Sequence, residues 1–337
     1  MTDPASPIEA EIITEAQPRG KEQSQWADVW RQFRSHKGAM MGAFVLLFIT
    51  FGVIFGPWLW DIEPTKLDIR NKNWRPVYMP LFSCSWTSLC IPPEALEGMK
   101  YGWAHPLGTD NLGRDILSTL IHGGRVSISV GWVAMVLAML IGTAIGVASG
   151  YIKWLDGLLM RFTDLVLALP LLPLLLVIML LFRDALRAAF GPEMGIFILI
   201  VCVIGATSWM QTARIVRADI LALKEREFIL AARSIGTPPL KMVTRHLLPN
   251  VLSPIMVSAT LGLATAIITE SAISFLGLGF PSDFPTWGKL LFDATDRIQN
   301  FPERALWPGL MISLVVLSVN YIGDGLRDAL DPRIRGR

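Results

Sequence analysis

Six runs of mostly apolar residues, at 39–60, 126–150, 158–182, 195–210, 251–273 and 308–322, constrain this chain more than any other feature. A helix that crosses the hydrocarbon core of a bilayer needs roughly 20 such residues. The 337 residues are 52% hydrophobic and 17% charged, with a mean hydropathy of +0.48. A soluble domain carries about a quarter charged residues. Because the apolar residues are gathered into runs, the pattern predicts an all-α, polytopic membrane protein with six transmembrane helices rather than a large soluble core. The net charge of +2 leaves no electrostatic footprint for nucleic acid.

The runs carry their own punctuation. Trp58 and Trp60 close the first one as interfacial anchors. Gly142, Gly146 and Gly150 recur every four residues in the second, a stripe that lets a neighbouring helix approach closely. Glycine is also common in membrane helices generally, and the sequence names no partner for the stripe. The third run contains Pro170 and Pro173. Prolines are tolerated in spans where neighbours satisfy the freed carbonyls, so a kink and not a break is expected there.

Residues 1–37 are polar, with neither an apolar signal core nor a small-residue cleavage site. The first part, to about residue 25, reads as a disordered tail. Residues 26–36 read either as an interfacial amphipathic helix, with Trp26, Val29, Trp30 and Phe33 on one face, or as a plain tether. The basic residues set orientation. Arg214, Arg217, Lys224, Arg226, Arg233, Lys241 and Arg245 crowd 211–250, and Lys153 and Arg161 lie between the second and third runs. Arg327, Arg333, Arg335 and Arg337 add to this side, against Arg183, Arg187, Lys289, Arg297 and Arg304 on the other. The bias places both termini inside. The resulting organisation is a cytoplasmic tail at 1–37, a first span at 38–60, an extracytoplasmic loop at 61–125, a five-helix core at 126–325 with a cytoplasmic loop at 211–250, and a tail at 326–337.

Within the 211–250 loop, Glu227-Phe228-Ile229-Leu230-Ala231-Ala232-Arg233-Ser234-Ile235-Gly236 is followed by His246-Leu247-Leu248-Pro249-Asn250. Ala231 and Ala232 keep one helix face thin. Gly236 permits a turn at positive φ that ends the short helix. Pro249 suits the first turn of the next helix, where a missing N–H costs nothing. This pattern resembles the coupling loop of ABC-importer permeases. Leu230 stands where the generic motif has glutamate, and Glu227 one turn earlier matches the E-[FY]-x-x-A-A form of the dipeptide/oligopeptide branch. In that family the loop docks into a cleft on an ATPase subunit, so the resemblance assigns ATPase coupling to Glu227, Ala231, Ala232, Gly236 and Pro249.

Further segments resemble the same branch in the expected order, from about residue 105 to 335. His105-Pro106-Leu107-Gly108-Thr109-Asp110 runs on through Gly113-Arg114-Asp115, with helical apolar spacing at 116, 117, 120 and 121. Pro106, Gly108 and Gly113 are turn formers, and Asp110 is placed to cap a helix starting near Asn111. This outer-surface motif reads as structural capping or as a contact to a binding protein or substrate. Asp156, Arg161 and Asp164 suggest an ion-pair and cap network at the cytoplasmic face. Glu270-Ser271 begins an E-S-x-x-S-F-L-G-L-G string near the end of the fifth run. An ionisable group there lines the translocation path or locks the fifth helix to its neighbours. Near the C-terminus, Asp324 is expected to cap a short surface helix.

The resemblance implies a permease subunit of an ATP-driven peptide importer in the bacterial inner membrane. It further implies a second homologous permease, two ATPase subunits or domains and an external substrate-binding protein. Nickel complexes, oligosaccharides and opine-like solutes are the alternative cargoes. An ion-driven secondary carrier is the rival from another class, but no inverted repeat is visible. No G-x-x-x-x-G-K-[ST] pattern occurs, since Leu290 follows Gly288-Lys289. ATP and Mg are therefore expected on partner subunits, with no cofactor, metal or catalytic residue on this chain. Cys84 and Cys90 in the outer loop either form a disulfide or stay reduced. Cys202 reads as an inert apolar side chain.

Overall fold

The computed structural model describes residues 25–79, 100–281 and 283–330, with the side chains of Gln25 and Trp26 left out. Ten helices carry the described chain: α1 Gln25–Ser35, α2 Lys37–Leu59, α3 Ile116–Tyr151, α4 Lys153–Ala168, α5 Leu171–Phe190, α6 Pro192–Lys224, α7 Glu227–Ser234, α8 Leu248–Phe275, α9 Trp287–Thr295 and α10 Glu303–Leu330. Single-turn helical segments occupy Ile69–Asn71 and Pro239–Lys241, and a π-helical stretch occupies Met242–Leu247. No strand forms among the described residues. Five helices are long and apolar enough to span a membrane, and α4 and α5, bent by 88° at the break between them, pass the same test together. The molecule is an all-α polytopic membrane protein.

The glycine stripe finds its partner in α6. A Cβ on Gly142 would lie 2.6 Å from the Trp209 carbonyl oxygen, one on Gly146 2.7 Å from that of Ala213, and one on Gly150 2.9 Å from the Ile220 side chain. The registers rise together, so α3 and α6 run parallel at backbone-to-backbone distance. That direction requires the intervening α4–α5 pair to return across the membrane. α8 runs back along α3, with Ile267 against Gly131 and Met139 near Gly262. α10 lies beside α2 and α8, through Gly42 on Ser318 and Gly323 on Thr260. The start of α2, the ends of α3, α6 and α10, and the start of α8 therefore share one face with α7. Both ends of the described chain lie there, and His36 at the head of α2 sits 3.8 Å from Asp328.

Several boundaries differ from expectation, each for a local reason. The third run is broken, not kinked. Pro170 drives Leu169 into extended backbone, with ψ at 135°, and itself serves as the N-cap of α5. Pro173 falls in the first turn of α5, where its missing N–H needs no partner. α3 begins at Ile116, ten residues before the second run was expected to start, and Asp115, not Asp110, caps it by accepting from the Ser118 N–H at 2.7 Å. Pro249 stands in the first turn of α8, where it was expected. It lies inside a helical run that starts at Pro239, and the π-helical turns before it widen the spiral where its ring would meet the Arg245 carbonyl. Asn250 Nδ2 donates to the His246 carbonyl at 2.7 Å, supplementing the backbone there. Asp324 caps nothing: α10 continues unbroken to Leu330. In α1, Val29 is buried and Phe33 abuts Gly325, but Trp30 is exposed, so the expected apolar face is only partly used.

Overpacking by one methyl costs about 1–3 kcal/mol where the backbone cannot retreat. Gly146→Ala should therefore destabilise the purified chain in detergent by about that much. Gly157→Ala, at a position with no atom within 4 Å of the new Cβ, should be neutral or stabilising by up to about 1 kcal/mol. Thermal melts of the two variants compare them directly, and equal losses would discard the close-packing account.

Candidate coupling surface

α6 has 33 residues, about 50 Å of helix at 1.5 Å per residue, so it exceeds a hydrocarbon core of about 30 Å. Its surplus carries α7. Ile229 and Ala232, three residues apart on α7, are buried against Val216 and Ile220 of α6 and against Met242, Leu247 and Val251 leading into α8. Lys224, the last residue of α6, donates from Nζ to the Gly150 and Tyr151 carbonyls at 3.1 and 3.3 Å, closing the end of α3. α7 thus stands on a rigid seat made from three helices.

What α7 shows to solvent follows from that anchoring. Glu227, Leu230, Ala231 and Ser234 form the outer face, flanked by exposed Phe228 and Ile235 and by Leu240. Ile235 and Leu240 are 83% and 77% exposed. Arg226, Arg233, Lys241 and Arg245 ring this apolar surface with positive charge and are themselves exposed. The two alanines part company: Ala231 faces outward, while Ala232 packs inward, so it seats the helix and does not thin the outer face. Gly236 has φ +77°. The Thr237 N–H reaches the Ala232 carbonyl at 3.1 Å and the Gly236 N–H that of Arg233 at 3.0 Å, the paired bonds of a Schellman ending. Nothing lies within 4 Å of a Cβ at Gly236, which is exposed. Pro249 is exposed but sits 13 residues along the chain from Gly236, in the helix behind the seat.

The outer-surface motif builds a polar knot. His105 Nδ1 is 2.7 Å from Asp115 Oδ2, and Trp60 Nε1 donates to Asp115 Oδ1 at 3.1 Å. Asp110 accepts from the Leu112 and Arg114 backbone N–H groups, both at 2.8 Å, and from Arg114 Nε at 2.6 Å. Gly108 and Gly113 take φ of +84° and +81° against the Trp74 and Asp68 carbonyls. Arg304, buried at the head of α10, donates to the Thr109 carbonyl at 2.8 Å and to Asn73 Oδ1 at 2.9 Å. Arg75 pairs with Glu303 at 2.7 Å, and the Phe301 ring lies between the Arg75 and Arg304 guanidiniums, 4.0 Å from each. These contacts tie the loop to α2, α3 and α10.

Glu270 is fully buried near the end of α8. It accepts from Ser127 Oγ of α3 at 2.9 Å and from Ser274 Oγ at 2.8 Å, with Ser271 Oγ at 3.5 Å. Ser127 Oγ also accepts from the Trp287 N–H at 3.2 Å, so one hydroxyl joins α3, α8 and α9. Cys84, Cys90, Asp331, Pro332 and Arg333 lie outside the described residues. Cys202 is exposed on α6 with a free thiol.

Sequence reasoning passed over three arginines of this architecture. Asp156 and Asp164 do not pair with Arg161. Asp156 accepts from Arg217 Nε at 2.5 Å and Nη2 at 2.7 Å, and Asp164 is paired with Arg214. The acids were visible as a motif, but their partners lie 61 and 50 residues away. Arg125 was also missed. It donates from Nε to the Val53 carbonyl at 2.9 Å and from Nη2 to that of Ile54 at 2.5 Å. Pro57 inside α2 leaves Val53 without its helical donor, and that orphaned carbonyl was the available signal.

The sequence is similar to known proteins over most of its length. Residues 138–336 match the family of binding-protein-dependent transport system inner membrane components, and residues 24–80 match the N-terminal transmembrane domain of oligopeptide transport permease C. The dipeptide transport system permease DppC of Alkalihalophilus pseudofirmus is 35% identical over 93% of this chain and 91% of its own length. The di/tripeptide permease DppC of Pseudomonas aeruginosa is 35% identical over 91% and 92%, and the oligopeptide permease OppC of Bacillus subtilis 34% over 94% and 92%. A chain of an inward-facing MetNI methionine ABC transporter superposes with a TM-score of 0.49, at 18% identity, over 63% of this chain and 97% of that one. This chain belongs to the family of binding-protein-dependent transport system inner membrane components, the membrane-spanning permease subunits of ABC importers.

Proposed function

We propose that this chain is one permease subunit of an importer that takes up di- or oligopeptides delivered by an external substrate-binding protein. It pairs with a second, homologous permease and with two ATPase subunits or domains, which hold ATP and Mg. It lies in the bacterial inner membrane with both termini and α7 on the cytoplasmic side, and lipid surrounds its spans. The observation that carries the reading is the α7 surface: exposed Phe228, Leu230, Ile235 and Leu240 beside Glu227 and a set of exposed basic residues, mounted on the projecting end of α6 through Ile229 and Ala232. Peptide as the solute rests on what the similar permeases are named for.

The mechanism follows from the mount. ATP binding draws the ATPases together, and α7, held in a cleft between their lobes, moves with them. Because Ile229 and Ala232 are buried in the same cluster as Val216 and Ile220, that motion is delivered to α6 and, through the glycine stripe, to α3. The solute path opens alternately to the two sides as the helices tilt, a two-state change driven by the different contacts each state makes with nucleotide and binding protein. The outer knot of His105, Gly108, Asp110, Gly113, Arg114 and Asp115 serves as structural capping beneath the binding protein's landing surface. Glu270 and Ser271 act as a helix lock, supported by the full burial of the carboxylate among hydroxyl donors.

Three outcomes are expected. Gly236→Asp should abolish uptake in reconstituted vesicles while the ATPases still co-purify in part. Aspartate tolerates the left-handed conformation for about 1–2 kcal/mol and meets no neighbour there, so the loss would report the docking contact and not the fold. Normal uptake by this variant sinks the assignment. Uptake should also survive a protonophore and stop on ATP depletion, the reverse of an ion-driven carrier. Glu270→Gln keeps an acceptor oxygen and should hold uptake within about three-fold, whereas Glu270→Ala should lower stability by about 1–3 kcal/mol. Equal behaviour of the two variants would remove the lock.

A further inference from the structure

We infer that Asp156 and Asp164 of α4, gripped by Arg217 and Arg214 of α6, are the positioning residues through which movement at α7 reaches the bent α4–α5 span. This rests on the importer reading above and adds to it the route by which the ATPase stroke reaches the elbow.

The attachments of the two halves of that span differ in kind. α5 is fixed by apolar packing: Leu175 and Met179 are fully buried in one cluster with Ile196 and Ile200 of α6. α4 is held more lightly: no apolar side chain of it is fully buried, and only Val166 and Leu167, half-buried, pack against the main core. The one buried side chain of α4, Thr163, bonds the carbonyl of its own Leu159 at 2.8 Å. Ile152 alone separates α4 from α3, serving as the C-cap of one and the N-cap of the other. At its far end lies the 88° elbow at Leu169–Pro170, where Leu165, Leu169, Leu171 and Leu172 are exposed. α4 is therefore a rigid rod between two non-helical joints, the geometry of a hinged element.

Polar contacts along one edge hold the rod. Arg217 grips both oxygens of Asp156 in a fork, and Ser149 Oγ of α3 donates to Asp156 at 2.7 Å. One turn along α6 from Arg217, Arg214 pairs with Asp164. Between the two acids Phe162 stacks on Trp209, with centroids 6.2 Å apart and planes 14° apart. All four charged side chains are partly exposed. Water replaces such partners at small cost, whereas separating α5 from α6 would expose buried apolar surface. A shift against α6 is therefore easier for α4 than for α5.

The arginines sit where the stroke arrives. Val216 and Ile220, which seat Ile229 of α7, lie on the same two turns of α6 as Arg214 and Arg217. A displacement of α7 moves this stretch as one piece of helix. It carries the clasp with it, and α4 swings about Ile152 and Leu169–Pro170, moving the apolar elbow into or out of the solute path.

The test uses the complete importer, with its second permease, ATPases and binding protein, reconstituted in liposomes. Asp156→Arg and Arg217→Asp should each lower ATP-driven uptake about ten-fold while the ATPases remain bound, because each leaves a charge facing its like. The double swap should recover to within about three-fold of the unaltered complex. Single variants with full uptake, or a double swap no better than the worse single in an assembled complex, overturn the clasp. Should the reversed charges prevent assembly, Asp156→Asn with spin labels at Leu158 and Leu221 replaces them. The α4–α6 distance should change between nucleotide-free and ATP-trapped complexes, and Asp156→Asn should broaden the nucleotide-free distribution. An unchanged distance in the unaltered complex overturns the swing. ATPase binding to the unaltered chain reports separately on the importer reading: without it that reading fails and the clasp with it, and with it an inert swap discards the clasp alone.

Discussion

The parallel contact between α3 and α6 is the constraint on which the rest of the structure depends. Three glycines four residues apart let Trp209, Ala213, Arg217 and Ile220 of α6 approach the backbone of α3. In lipid the hydrophobic effect does little to hold helices together, so backbone proximity and the dispersion contacts it allows do that work. Two parallel helices joined in sequence need a crossing between them, and α4–α5 is that crossing. The same contact extends along α6 to Ile220, so the seat of α7 is an extension of the most tightly packed pair in the molecule. A displacement of α7 therefore acts on packed core side chains and not on loops alone.

Prolines set the second constraint, because every carbonyl they orphan inside a span needs another donor. The chain meets this need in three ways. At Pro57, Arg125 reaches across from α3 and takes over the carbonyls of Val53 and Ile54, which also joins the outer ends of the two helices. At Pro249 the backbone changes pitch, and the Leu248 N–H reaches back to the Val243 carbonyl in a π-type bond. At Pro170 the helix gives way entirely, and the carbonyl of Pro170 starts a new one by accepting from the Leu174 N–H at 3.1 Å. The last solution leaves the elbow. It is tolerable at membrane depth only where protein or a wet cavity covers the exposed backbone.

This contrast explains what the sequence made legible. Hydropathy located all six crossings, because each is a statement about twenty neighbouring residues. Gly236 was legible as a turn because its conformation is settled within four residues. The break at Pro170 was not, since whether a proline kinks or ends a helix depends on which donors lie nearby in space. The inward turn of Ala232 depended on the position of Ile220, and the pairing of Asp156 depended on Arg217. Spacing pointed to Asp110 as the cap; Asp115 takes that place because His105 and Trp60 orient its carboxylate toward the Ser118 N–H. Local chemistry was readable and long-range partnership was not.

The distribution of apolar and charged contacts over α6 gives this subunit its mechanical character. The half of α6 nearer α5 is bound by fully buried aliphatic side chains: Ile196, Ile200 and Ile204 meet Leu175 and Met179. The half nearer α7 offers arginines to α4 and glycine-width contact to α3. An apolar interface is short-ranged and close-packed, and it loses its contacts with a shift of an ångström. A charged pair keeps much of its attraction as it lengthens and accepts water in between. A helix bound by the first kind of contact at one end and the second at the other transmits force at the apolar end and permits displacement at the polar end. That asymmetry follows the order of side chains along α6, met by Leu175 and Met179 of α5 at one end and by Asp156 and Asp164 of α4 at the other.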